Sequence, residues 1–451
     1  MPTATVNFDS KVGKVKPMHA VNNGPVYKFA IDQRITNIDA FIEAGIPYAR
    51  NHDAAFYSTY GGEHTVDVHN IFTDFDADPY DPASYDFAMT DEYIKVCEYA
   101  GVRTFYRLGS KIEHGVKKYG TLPPKDFGKW ALICEHIIRH YTEGWADGFH
   151  YNIEYWEIWN EPDLDPDDST HKRCWGGTAK EFYELYCIAH KHLKACFPHL
   201  KIGGPACARM SDDEWRNGFF QALKDNGIYP DFFSWHRYGN DVEKFREKVR
   251  LARQMLDRYG FYKTESIFNE WNYVKGWTGD EWIYSLKCEK NIKGATFIAA
   301  VMEMCQYEPL DMLMYYDARP CGMNGMFSTD FVCDKLKGYY PFLMFGTLYK
   351  LDAAVEVSSD DEDVHLCAAV GENEAAVMLT HYSDDDAKGS VCVRLDLSGF
   401  GAAEGCEIEY YLLDAAHDLS FVGRATYFGD RFVPEFEMPN FTSYLIKIKK
   451  K

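Results

Sequence analysis

The sequence has no apolar run of about 18 residues, the length a membrane-spanning helix needs, so no such helix is expected. Its first fifteen residues, MPTATVNFDSKVGKV, lack the apolar centre of a secretory signal, and the chain is expected to be cytoplasmic. It has 13 cysteines but no C-x-x-C pair, which argues against zinc ribbons and thioredoxin-type centres and for scattered, reduced, mostly buried thiols. No H-E-x-x-H occurs, and the one H-x-H, His190 and His192, falls on a helical pattern where residues two apart face different ways. Positive charge is also short: 48 basic against 69 acidic residues leave a net charge of -21, a field that repels phosphate backbones and anionic lipid. Neither nucleic acid nor a membrane surface is expected as partner, and neither metal nor cofactor is called for.

Aromatic residues are plentiful at 16%, enough to leave flat faces for stacking on sugar rings after the core is packed. From 17 to 349, short apolar runs alternate with longer amphipathic segments such as KWALICEHIIRHYTEG and AKEFYELYCIAHKHLKAC. Eight strands are expected near 18–22, 47–52, 103–109, 154–160, 201–206, 232–238, 266–271 and 311–317. That alternation predicts an α/β fold, a (β/α)8 TIM barrel, with its site on the loops after the strands. A doubly wound open sheet is the structural alternative. Beyond 350 the texture changes to short alternating strands, among them VHLCAAV, EAAVMLTHY and SYLIKIK, which predict a β-sandwich. TATVNFD alternates likewise, so residues 1–16 are assigned with 350–451 to an accessory β-sandwich packed on the barrel.

Chemistry concentrates at the strand ends. IEYWEIWNEPD closes the fourth strand with Asn160, Glu161 and Pro162, and SIFNEWN closes the seventh with Glu270. A charge at the end of a buried aromatic strand is costly without a function, which separates these two glutamates from the other acidic residues. Two carboxylates meeting over a barrel mouth can divide the labour of glycosidic cleavage, one as proton donor and the other as nucleophile. His236 and Tyr238 alternate on the sixth strand, so both point one way, into the mouth, and His52 is placed similarly. The proposed job of all three is to bind sugar hydroxyls and hold the nucleophile ionised. Tyr316 could floor a sugar ring; Asp317 could meet sugar or pair with Arg319; Trp271 is a further stacking candidate. The acidic run DLDPDD at 163–168 lacks the glycine and terminal glutamate of an EF-hand and reads as a solvated loop.

W-x-N-E-P ending a fourth strand and a second glutamate ending the seventh resemble clan A glycosidases. HAVNNGP at 19–25, RNHD at 50–53, VDVHNIFTDFDADPYDPASYDF, RLGS at 107–110, WEIWNEPD and SWHRYG at 234–239 together resemble glycoside hydrolase family 39, the β-xylosidases and α-L-iduronidases. The resemblance implies a retaining enzyme with Glu161 as acid/base and Glu270 as nucleophile, and His52, Asn160, His236 and Tyr238 lining the subsite of the cleaved sugar. Asn269 stands where a small hydroxyl residue is expected and Arg237 where an aromatic is common. The expectation is a β-xylosidase-like hydrolase acting on a short oligosaccharide or glycoside. The alternatives are a clan A glycosidase of other specificity (arabinoside, galactoside, glucoside or uronide) and a non-catalytic carbohydrate-binding barrel. The sandwich is left open between sugar binding, bracing the barrel and homo-oligomerisation.

Overall fold

The computed structural model describes residues 1–30, 33–53, 66–329, 333–351, 353–401 and 404–451. Eight parallel strands close a barrel: β1 (Ala20–Asn22), β2 (Tyr48–Arg50), β3 (Arg103–Leu108), β4 (Tyr155–Ile158), β5 (Lys201–Cys207), β6 (Phe232–Gly239), β7 (Glu265–Tyr273) and β8 (Met312–Tyr315), which pairs back on β1. The architecture is the TIM barrel that the strand–helix alternation predicts. The helices begin where the sequence supplies caps. Asp126, Asp213 and Asp241 each accept a backbone N–H of the first turn, and Thr178 with Glu181 forms a reciprocal capping box.

Side-chain alternation sorts the barrel interior into layers. Ala20, Tyr48, Phe105, Tyr155, Phe232, Ile267, Met312 and Met314 form an apolar cluster of their own, with every strand but β5 contributing. Two residues further along, the inward phase carries Asn22, Arg50, Arg107, Glu157, Ser234 and Asn269, all completely shielded from solvent. An apolar plug beneath a polar layer keeps water from entering at the far end, so these groups answer only to one another and to whatever occupies the mouth.

The N-terminal strand Thr3–Gly13 pairs antiparallel with Ala353–Ser359 and parallel with Val391–Ser398, so the chain's first residues complete a ten-stranded sheet. That sheet folds over itself as a sandwich: Phe436 lies 5.8 Å from the ring of Tyr410 and 4.9 Å from Tyr444 across the inner faces. In Val364–Val370 every residue is buried, because Val364, Leu366, Ala368 and Val370 face the sandwich core while Cys367 and Ala369 join the barrel's apolar cluster. Polar ties add to this joint: Asp384 accepts hydrogen bonds from Tyr273 and Asn240, at the ends of β7 and β6. All 13 cysteines are free thiols. Among the described residues no helix is long and apolar enough to cross a membrane.

Candidate active site

Arg50 organises the floor of the barrel mouth. Its Nε donates to Glu157 Oε2 at 2.6 Å, Nη1 to Glu270 Oε1 at 2.7 Å and to Asn22 Oδ1 at 3.0 Å, and Nη2 to Asn160 Oδ1 at 2.7 Å. Glu157 accepts two further bonds on Oε1, from Ser234 Oγ and Asn269 Nδ2, each at 2.5 Å. A fully desolvated carboxylate persists only when its lone pairs are filled in this way, and Glu157 in turn fixes the guanidinium plane.

Glu161 follows β4 with φ 47°, a left-handed conformation uncommon for a residue with a side chain, and Trp159 shares it at φ 77°. Trp159 is held by its N–H on Leu108 O and its indole N–H on Cys174 O, while Gly109, at φ 113°, leaves room for its ring. The Glu161 N–H donates to Ala206 O. These anchors turn the carboxyl group over the mouth, where Oε1 lies 2.8 Å from His236 Nδ1.

Glu270 reaches the mouth through a break in strand register. Against β6, Phe268 pairs with Trp235 and Glu270 with His236, so β7 carries an extra residue at Asn269. The bulge changes the phase of alternation, and two consecutive side chains, Asn269 and Glu270, both engage the interior network. Glu270 Oε2 accepts from Tyr238 OH at 2.8 Å and lies 3.4 Å from His236 Nδ1; His52 Nε2 lies 3.8 Å from Oε1. One carboxylate oxygen from each glutamate and a nitrogen of His236 all fall within 4.8 Å of one another.

The two carboxyl groups differ in environment. Burial pushes Glu161 up to about 7, only partly offset by the charges of Arg50 and Arg173. Burial also raises Glu270, and Glu161 adds to this, but His236, Arg50 in direct contact and the Tyr238 hydroxyl oppose it. Glu161 is therefore the member that keeps a proton near neutrality. Burial lowers His236 to about 4, so its ring is neutral, with Nδ1 facing both carboxylates. A neutral imidazole and one protonated carboxyl leave Arg50 as the single cation in contact with two carboxylates, Glu157 and Glu270.

Residues 61–270, a stretch that ends on Glu270 itself, match the family model for Glycosyl hydrolases family 39. A β-xylosidase of Geobacillus stearothermophilus is 32% identical over 127 residues, 27% of this chain and 22% of that protein. A second, of Caldicellulosiruptor saccharolyticus, is 28% identical over 169 residues, 35% of this chain and 32% of that protein. The matched segment thus spans less than a third of either curated relative. The solved glucosidase of Croceicoccus marinus superposes on 100% of this chain and 99% of its own with a TM-score of 0.81 at 20% identity, a likeness of fold.

Around Glu161 and Glu270, His52, Asn160, His236, Tyr238 and Tyr316 gather at one mouth. Tyr316 OH donates to Asp53 Oδ2 at 3.1 Å, and its ring stands edge-on to His52 and Tyr238. Asp53 is held ionised against the effect of its burial, chiefly by Arg319.

Two expected sugar ligands lie elsewhere. Trp271 is completely buried and points outward, packed beside Tyr315, Phe297 and Phe245, because the bulge at Asn269 shifts the inward phase onto Glu270. Asp317 is also shielded from solvent. Its oxygens accept from the Arg319 backbone N–H and Nε and from Cys321 Sγ, so this buried carboxylate braces Arg319. Glu157 is absent from the residues singled out by sequence, and Arg50 enters there only within the RNHD motif. Both were signalled by charged residues in the inward phase of YWEI and YAR.

The acidic run after Glu161 is spent on the protein itself: Asp163 pairs with Arg216, Asp165 with Arg173, and Asp167 accepts the Ala179 N–H. Among the described residues two trios bring three potential metal ligands together, Glu161–His236–Glu270 and Glu135–His192–Cys196. In the first, His236 Nδ1 lies 2.8 Å from Glu161 Oε1 and 3.4 Å from Glu270 Oε2.

Proposed function

We propose that this chain is a retaining glycoside hydrolase of β-xylosidase type. Glu270 attacks the anomeric carbon while the Glu161 carboxyl group delivers its proton to the departing glycosidic oxygen. The resulting ester between Glu270 and the sugar is then hydrolysed by a water whose proton returns to Glu161, regenerating both groups. Arg50 and Tyr238 keep Glu270 ionised for attack, and His236, neutral, orients both carboxylates. Asn160 has its amide oxygen fixed by Arg50, which leaves the NH2 to donate to the hydroxyl next to the reacting carbon. His52 and Tyr316 supply the remaining wall.

The observation that carries this reading is the carboxylate pair within 4.8 Å, bridged by one imidazole and unequally protected. Retaining enzymes place these groups about 5 to 5.5 Å apart, whereas inverting enzymes need about 6.5 to 9.5 Å to admit a water. The xyloside preference is supported by the family and by the names of the two curated relatives. Nitrophenyl glycosides test it: β-xyloside is expected to turn over with retained anomeric configuration, Glu270→Gln to lose that activity, and Glu161→Gln to lose most on glycosides whose leaving group needs a proton. Turnover of another sugar alone would retire the substrate and keep the mechanism. Inverted configuration, or full activity in Glu270→Gln, would retire the mechanism.

A further inference from the structure

On the outer helical layer, the helix Phe127–Thr142 carries Glu135 against the neighbouring helix Ala179–Cys196, which presents His192 and Cys196. The histidine and the cysteine stand at i and i+4, so both lie on one helical face. Glu135 Oε2 is 2.6 Å from His192 Nε2, Cys196 Sγ is 4.0 Å from the same nitrogen, and the three atoms lie within 4.8 Å of one another. We propose that Glu135, His192 and Cys196 form a binding site for one zinc-type divalent cation, with water in the fourth position, separate from the catalytic mouth.

The donor set selects the class of ion. A thiolate with an imidazole and one carboxylate suits zinc and its neighbours, and disfavours calcium and magnesium, which take oxygen ligands. Bonds of about 2.0–2.1 Å to nitrogen and about 2.3 Å to sulfur in a tetrahedral site put the ligand atoms roughly 3.3–3.6 Å apart. The contacts of His192 Nε2 with Glu135 and Cys196, at 2.6 and 4.0 Å, therefore need to change by less than about 1 Å. His192, with 34% of its side chain exposed, is free to make such a shift.

The surroundings are those of a ligand already oriented. Arg139 Nε donates to Glu135 Oε1 at 2.7 Å, which fixes the carboxylate and leaves Oε2 for the ion. Uptake needs His192 Nε2 to offer its lone pair, with the ring proton on Nδ1. It also needs Cys196 to release its proton to solvent, so binding weakens as pH falls. The ion would tie together two helices that follow β3 and β4, well below the rim residues on the outside of the barrel.

The full-length chain can be titrated with Co2+ at mildly alkaline pH. Near-ultraviolet thiolate-to-cobalt charge transfer and intense visible absorption are expected, saturating at one equivalent and reversed by Zn2+. Cys196→Ser should abolish the charge-transfer band, and His192→Gln should weaken binding at least tenfold; circular dichroism checks that each variant is folded. Glu161→Gln should retain the band, which keeps this result independent of the glycosidase reading. Absence of the band at excess Co2+, or its persistence in folded Cys196→Ser, would overturn the site. A Zn2+-induced rise in unfolding temperature should be present in the unsubstituted chain and lost in His192→Gln.

Discussion

Arg50 Nη1 lies 2.7 Å from Glu270 Oε1, and the guanidinium is completely buried. The same side chain neutralises Glu157 and positions Asn160, so it serves charge and geometry together. Removing one partner from a buried pair leaves the others desolvated and uncompensated, at a cost of about 3–5 kcal/mol. Arg50→Gln is expected to lose about that much stability in chemical unfolding. Arg50→Lys keeps a positive charge but not the planar fork that reaches four acceptors. It should fold with much reduced kcat/KM, and the acid limb of its pH profile should move to higher pH as Glu270 loses its contact. A Lys variant with wild-type kinetics would mean that the fork is dispensable.

The pH profile should be bell-shaped. Glu161, raised to about 7, must be protonated to donate, so activity is present below that value and lost as pH rises through it. Glu270 must be ionised to attack, so activity is lost as pH falls through its pKa, which burial places above the usual carboxylate value. kcat/KM for a β-xyloside should show both limbs. In Glu161→Gln the alkaline limb near 7 should disappear, with a loss of about 10²- to 10⁴-fold on substrates whose leaving group needs a proton and a smaller one on nitrophenyl glycosides. An unchanged alkaline limb in that variant would assign the proton to another group.

The barrel was legible because strand and helix periods alternate eight times, and the two glutamates because both stand at the ends of aromatic strands. The phase at β7 was not. Period-two alternation carried inward from Ile267 through Asn269 puts Trp271 in the mouth and Glu270 outside it. The bulge reverses this, and a bulge depends on the pairing of β7 with β6, which no local pattern in SIFNEWN reports. Asp317 misled for a different reason. Its sequence neighbour Arg319 made an ion pair as plausible as a sugar contact, and only the burial of its carboxylate decides between them.

Tyr238 donates its hydroxyl proton to Glu270 Oε2 at 2.8 Å, a bond to an ionised acceptor. Such bonds contribute about 1.5–3 kcal/mol, so Tyr238→Phe should lower kcat/KM by roughly 10- to 100-fold with little change in fold. The acid limb should also shift upward, because the lost bond favoured the charged form of Glu270. A drop in kcat/KM without that shift would mean that the hydroxyl acts on substrate rather than on Glu270.

Trp271 gives the converse case, a residue next to the nucleophile whose ring belongs to the core. It packs among Tyr315, Phe297 and Phe245 behind β7, on the opposite face of the strand from Glu270. Trp271→Ala should cost about 3–5 kcal/mol through the cavity it opens, read as a lower midpoint in urea unfolding. The milder Trp271→Phe should fold and bind substrate with KM within about twofold of wild type, since it alters no group that faces the mouth. A sugar-stacking role predicts the reverse, with KM rising in Trp271→Phe while stability stays level. Measuring both quantities on that one variant decides whether the bulge at Asn269 directs Glu270 alone, or both side chains, to the substrate.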